Sequence, residues 1–385
     1  MRWSAIRRKL LRVDRAIDKA IASAEIPGAV VGARMPCKGE NIEYFSERGL
    51  AAMQPERIPM TRQTIFDLAS LTKPIVTATA IMLLDSEGAI GVDDPVAKYL
   101  PNFSEREKDG VTIRHLLSHS SGLKPWRAYH EMLLQKERKT GEVLIGSPDA
   151  RELIIDRTVR SSLVHEPGAA AVYGDLDFIV LGAIVEAVSN QRLDDFCRER
   201  IFDPLGMADT FFIPLERGDA ALPESLKRRI AATENCPWRN RILWGEVHDP
   251  NTSAMGGVAG HAGLFSTVDD VMKFGQTIVD VWHGRSEILP LETLRKFLTR
   301  QDLPDSSEWT LGWDTPTAGN SSSGKYFSKD SIGHLGFTGT SLWIDLEREL
   351  VIVLLTNRVH LVAKKSHFAL RPIVHDLIIE AFEAA

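Results

Sequence analysis

The sequence predicts an α/β (α+β) fold in which a mostly antiparallel sheet is assembled from the N- and C-terminal segments, flanked by helices, with a helical lobe inserted between them. Two observations carry this. Strand formers cluster at both ends of the chain, in Ala29–Ala33 and Ile42–Ser46 and again in Ile332–Asp345 and Leu350–Thr356, whereas residues 111–250 hold mostly helix and loop signals. In addition, 44% of the 385 residues are hydrophobic, ample for one large core. The chain therefore reads as a single domain over 1–385, with a sheet subdomain at about 1–69 and 255–385 and a helical subdomain at about 70–254.

Each element has a local reason. Ile6, Leu10, Val13, Ile17 and Ile21 recur at helical spacing, so the N-terminus is an amphipathic helix packed on the domain. Pro27-Gly28 opens the first apolar run, and a polar turn around Lys38-Gly39-Glu40 makes this region a hairpin. A long helix is expected from Ser70 to Glu87, capped by Gly88. The charged stretch Gln135–Glu142 is expected as a solvated helix end or loop, and Thr317–Lys325 as a mobile surface loop. Asp345–Glu349 turns between the last two strand runs, and His367–Ala384 closes the chain as a helix.

Charge and cysteine content exclude several functions. Lys and Arg total 46 against 52 Asp and Glu, and no basic patch recommends a nucleic-acid partner. Cys37, Cys197 and Cys236 show no CxxC spacing, which argues against a disulfide framework or a zinc site and for reduced thiols in the cytoplasm. The basic residues Arg2, Arg7, Arg8, Lys9 and Arg12 are followed by no apolar segment of the signal-peptide kind, and no apolar run is long enough for a bilayer. A cytoplasmic protein with no membrane partner is expected, its oligomeric state open.

The chemistry lies in Ser-x-x-Lys, which places a lysine one helical turn from a serine so that both share a face. The pattern occurs at Ser70–Lys73, Ser121–Lys124 and Ser322–Lys325. Ser121 is followed by Gly122 and, after Lys124, by Pro125, a poor helix start; Ser322 lies in the Ser/Gly loop. Only Ser70 opens a long apolar helix, whose free N–H groups favour developing negative charge. Two decoys fail. Lys139-Thr140-Gly141 lies in a charged, helix-like run, and Gly319–Lys325 resembles a phosphate loop but has Tyr326 where Ser or Thr must reach magnesium. Neither Gly-x-Ser-x-Gly nor HExxH occurs.

The run Phe66-Asp-Leu-Ala-Ser70-Leu-Thr-Lys73-Pro74 resembles the nucleophile motif of class C β-lactamases, family VIII carboxylesterases and D-Ala-D-Ala peptidases. Further segments agree in order: Ile113–Leu123, Pro167-Gly168 with Tyr173-Gly174-Asp175, Gly263–Thr267 with Asp269-Asp270, and Gly333-His-Leu-Gly336-Phe-Thr-Gly339. The resemblance covers roughly residues 25–380. It implies Ser70 as nucleophile, Lys73 and Tyr173 as proton handlers, and an oxyanion hole from the backbone N–H groups of Ser70 and Phe337. No metal or organic cofactor is implied. Asp175 stands where the family has Asn, and could equally be a helix N-cap. His334 replaces the family's lysine and Leu335 its hydroxyl donor, with Gly336 beside them. His261, in the glycine-rich Gly256–Gly263, is either pocket wall or structural turn; Trp126 and Tyr129 line an acyl pocket or anchor a loop. His115 and His119 are expected to bond within the scaffold. The leading expectation is a serine hydrolase for esters or related acyl groups, with a small-molecule acyl substrate. The alternatives are a β-lactamase or D-amino-acid peptidase acting on cell-wall material and, in another class, a non-turnover penicillin-binding receptor or inactive scaffold.

Overall fold

The computed structural model describes residues 2–37, 39–105, 108–215, 222–305, 307–319, 321–360 and 369–383, with the backbone alone for 2–5. The N-terminal helix Arg2–Ala22 buries Ile6, Leu10, Val13 and Ile17, while Ile21 stays half-buried. The expected hairpin follows as β1 (Gly28–Cys37) and β2 (Glu40–Ala52), and β3 (Ile58–Pro59) extends it. Gly39 of its turn is described and Lys38 is not. Short strands β4 (Phe66–Asp67), β5 (Phe211–Phe212), β6 (Asn235–Cys236), β7 (Arg241–Ile242) and β8 (Leu264–Ser266) make two small sheets. The C-terminal run Ile332–Asp345 is two strands, β9 (Ile332–Leu335) and β10 (Ser341–Asp345), because Gly336–Thr340 turns between them; β11 (Leu350–Thr356) follows.

The main sheet has the order β3-β2-β1-β11-β10-β9, with every neighbouring pair antiparallel. β1 pairs with β11 from Ala29↔Thr356 to Arg34↔Val351, so both ends of the chain share one sheet, as the sequence predicts. Alternation assigns the faces. Ala29, Val31, Ala33, Leu350, Ile352 and Leu354 pack under the first and last helices, Arg2–Ala22 and Leu370–Phe382. Val30, Val351, Val353 and Leu355 join the large core that runs on into the helical lobe. The strand edge carrying His334 is β9, at the end of the sheet.

Three expectations change. The helix over 70–87 is not regular: a 3₁₀ turn Ala69–Leu71 leads to a π-helical turn Lys73–Ala78 and only then to an α-helix Thr79–Ser86. Pro74 lies in the π turn, where its missing N–H interrupts the ordinary ladder. Gly88 does take the left-handed cap conformation, with φ 71°. The loop Thr317–Lys325 is tied down where it is described. His375 Nδ1 meets the Ser323 carbonyl at 3.0 Å and Lys325 N–H donates to Asp376 at 2.7 Å; Asn320 lies outside the described residues. The closing helix begins at Leu370, and of the expected span residues 367, 368 and 384 lie outside the described ones. The charged stretch is a helix end, Tyr129–Thr140 capped by Gly141, so the decoy Lys139-Thr140-Gly141 closes a helix and belongs to no strand. Among the described residues no helix is long and apolar enough to cross a membrane.

Candidate active site

Ser70 sits at the tight turn between β4 and the π-helical turn, and the chain is strained to put it there. Ala69 has φ 49°, a left-handed backbone that a non-glycine residue adopts at a cost of about 1–2 kcal/mol. The buried Asp67 holds that turn: one carboxylate oxygen accepts from Ala69 N–H at 2.8 Å, the other from His248 N–H at 2.6 Å. Strain of this kind gathers at functional sites. One turn on, Lys73 is fully buried, and its ammonium donates to Ser70 Oγ at 3.1 Å, Asp175 Oδ1 at 2.7 Å and the His261 carbonyl at 3.2 Å. Burial alone pulls the lysine pKa down, but the charge of Asp175, followed by Tyr173, outweighs it and leaves Lys73 above its ordinary value. Lys73 therefore stays an ammonium at neutral pH.

Asp175 precedes the helix Leu176–Ser189, where a capping carboxylate would stand, yet its side chain makes no cap bond. Its carboxylate goes to Lys73 instead. Tyr173 is 41% exposed, with Lys73 Nζ 5.0 Å from its ring centroid. Its ring stacks on Trp309 at 5.6 Å and 18°, and meets His119 at 4.8 Å and His334 at 5.7 Å. Motif reading missed Trp309, because an aromatic residue in a loop carries no spacing signal.

The opposite wall is β9 and the turn after it. His334 is buried, and its Nδ1–H donates to the Leu335 carbonyl at 2.9 Å, which leaves Nε2 unprotonated. Burial, then the charge of Lys73 and the neighbouring His119, push its pKa well below the ordinary histidine value. His334 is neutral at pH 7. Gly336 is required: a Cβ there would lie 2.0 Å from Thr340 Oγ1 and 2.4 Å from the Leu68 carbonyl. Arg371 braces this turn by donating to the Gly336 and Thr340 carbonyls, and Arg358 Nε donates to the Phe337 carbonyl at 3.0 Å. The Phe337 side chain points outward, 62% exposed.

Both walls enclose a cleft of about 890 Å³. Ser70, Tyr173, Asp175, His261, His334, Gly336 and Phe337 all line it, with Trp126 and Trp238 farther out, so the sequence-predicted residues do come together. Trp126 is an exposed rim residue, whereas Tyr129 is core, its hydroxyl accepting from Thr158 at 3.2 Å. His261 is buried, with Nε2 2.9 Å from Asp249 and 3.1 Å from Thr252 Oγ1. Burial raises the Asp249 carboxyl, but the His261 charge and hydrogen bond outweigh this and hold it below the usual range. Asp175, Asp249 and His261 lie close enough to suggest a metal cluster. Each already has a partner, however: Asp175 holds the Lys73 ammonium, and Asp249 and His261 hold one another. His115 caps its own helix through Thr112, as expected of a scaffold residue.

Comparison with known proteins gives the family and the fold. The sequence model of the family described as Beta-lactamase matches residues 13–372. A curated protein of Escherichia coli K12, named "Putative D-alanyl-D-alanine carboxypeptidase", is 33% identical over 336 residues, spanning 80% of this chain and 73% of that one. Among solved structures, EstCE1, titled a hydrolase with promiscuous acyltransferase activity, superposes with a TM-score of 0.73 at 22% identity, covering 97% of this chain and 98% of its own. A class C beta lactamase does so with a TM-score of 0.71 at 19% identity, covering 99% of both chains.

Proposed function

Since the chain belongs to the beta-lactamase family and is a serine hydrolase, we propose that it cleaves small neutral esters through an acyl-enzyme on Ser70. The observation that carries this reading is the pairing of Ser70 Oγ with a Lys73 held charged by Asp175, facing a strand edge whose His334 is neutral. A lysine kept protonated cannot take the serine proton, so Tyr173 takes it and passes it to the leaving alcohol. Lys73 supports the negative charge that Tyr173 must carry to accept a proton. The backbone N–H groups of Ser70 and Phe337 receive the carbonyl oxygen. Water activated by Tyr173 then releases the acid.

A second reading, a peptidase for D-amino-acid peptides, is favoured by the curated relatives named for that activity and by Arg358 at the Phe337 side of the cleft. The buried free thiols Cys197 and Cys236 fit a reducing compartment such as the cytoplasm. One panel separates the readings: p-nitrophenyl acetate and butyrate, nitrocefin, and D-alanyl-D-alanine peptides, with intact-mass measurement of trapped acyl-enzyme. Ester turnover with an adduct absent from Ser70→Ala is expected. Peptide turnover without esterase activity favours the second reading. An adduct that accumulates on every substrate without release would mark a receptor.

A further inference from the structure

Tyr173 lies in a stretch with no regular structure, just before the helix Leu176–Ser189, so neither a strand nor a helix holds its backbone. One residue does so from both sides. The Val172 N–H donates to the His119 carbonyl at 2.8 Å, and the Gly174 N–H donates to His119 Nδ1 at 3.3 Å. The His119 ring also packs on Tyr173 and, at 4.6 Å, edge-on against Trp309. His119 adopts a left-handed backbone, φ 57°, uncommon for a residue other than glycine.

The protonation of His119 follows from its contacts. The Gly174 N–H points at Nδ1, so that nitrogen carries no hydrogen. Yet Nδ1 also lies 3.3 Å from Asp177 Oδ2. The hydrogen in that contact must belong to Asp177, which is then a carboxylic acid. Its other oxygen accepts from Ser121 Oγ. Asp177 is buried, and Lys73, His165 and Asp175 are the charged or titratable groups that act on it besides His119. Burial pushes its carboxyl up to about 8, against the Ser121 bond and the Lys73 charge. Burial and the Lys73 charge push His119 down to about 3. Both place the proton on the acid at neutral pH.

We propose that His119 and Asp177 are positioning residues for Tyr173: the neutral Asp177 acid holds His119 in the tautomer whose bare Nδ1 anchors Gly174, and ionisation of Asp177 releases that anchor. The inference rests on Tyr173 being the proton carrier. When Asp177 loses its proton to solvent, its carboxylate calls for a hydrogen on Nδ1. The imidazole then carries its single N–H proton there instead of on Nε2, and the Gly174 N–H faces another N–H. The loop bearing Tyr173 loosens, while the β9 wall across the cleft keeps its own hydrogen bonds.

The test is kcat and KM for a neutral p-nitrophenyl ester from pH 6 to 10, in the full chain and its variants. Asp177→Ala and His119→Phe should each lower kcat about tenfold at pH 7 with KM within about twofold, the pattern of a misplaced catalytic group. Asp177→Asn offers an amide N–H to Nδ1 and cannot ionise. It should rescue kcat and move the alkaline limb upward by a pH unit or more. Thermal melts give a second reading. With the native carboxyl above its unfolded value, the native state holds more protons, so wild-type stability falls as pH rises from about 4 to about 8. Asp177→Asn lacks that loss, so its melting temperature should gain on wild type across this window. An unmoved alkaline limb and a constant melting difference in Asp177→Asn would overturn the proposal, even if Asp177→Ala fails to fold. Near-normal turnover in Tyr173→Phe would instead remove the reading of Tyr173, and the inference with it.

Discussion

On the wall built by the Ser70 turn, a lysine ammonium is buried among a carboxylate, a backbone carbonyl and the serine hydroxyl, and its charge is retained. On the facing wall, at the edge of the sheet, burial does the opposite: His334 is kept neutral, and the nearby arginines are directed to backbone carbonyls. The same low-dielectric surroundings act on both. What separates them is the partner. Lys73 has Asp175 at 2.7 Å, whereas His334 has only the Leu335 carbonyl for its Nδ1–H. A charge survives burial where an opposite charge meets it, and is lost where none does. The wall that moves protons thus keeps its cation, and the wall that would read a substrate's anionic group does not offer one on His334.

The comparison breaks first at the proton-moving wall. Lys73→Ala and Tyr173→Phe should each reduce kcat for an ester by at least about a hundredfold, the usual scale of general acid–base help. Steady-state kinetics on purified, folded variants will decide it. Turnover within a few-fold of wild type in either would show that its wall is not the catalytic one. The reading wall is expected to matter less. The double change His334→Lys with Leu335→Thr restores a permanent charge and a hydroxyl donor. A charge-assisted hydrogen bond is worth about 1.5–3 kcal/mol, so kcat/KM for nitrocefin relative to p-nitrophenyl acetate should rise by roughly one to two powers of ten. Efficient nitrocefin hydrolysis by the unaltered chain would mean the neutral wall does not set selectivity.

The two walls also differ in how far the sequence foretold them. Ser70 and Lys73 were legible because helical spacing puts i and i+3 on one face. The six-stranded sheet was legible because β1 and β11 are near-continuous apolar runs, as strands buried on both faces must be. The strain at Ala69 and the π-helical turn were not, since only Pro74 hints at them and Pro74 also suits an ordinary first turn. Asp175 could not be assigned, because an N-cap and a lysine partner ask for the same side chain at the same place. Asp249 was missed, although Asp249-Pro250 is a helix-start pattern and its carboxylate accepts from Thr252 N–H at 2.7 Å. Its approach to His261 across twelve residues of chain has no sequence signature.

The smallest expected effect is the one that isolates the cause of the difference. Asp175→Asn keeps an oxygen for Lys73 to donate to but removes the opposing charge, which makes the lysine's surroundings more like those of His334. Burial then becomes the dominant influence on Lys73 and lowers its pKa. At pH 7 the loss in kcat/KM for a short ester should stay below about tenfold, since a hydrogen bond is retained and only part of its charge assistance is lost. The pH dependence is the sharper reading. In wild type the raised lysine value means its ammonium adds stability at neutral pH that disappears only as pH rises through that value. In the variant the folded value falls below the unfolded one, so the stability deficit against wild type should widen as pH falls from about 10 towards neutrality. In the Asp177→Asn background, where Asp177 no longer sets the alkaline limb of kcat/KM, that limb should move to lower pH for the same reason. A limb that stays in place, with a stability deficit independent of pH, would mean that Asp175 is not what keeps Lys73 charged, and the contrast between the two walls would need another cause.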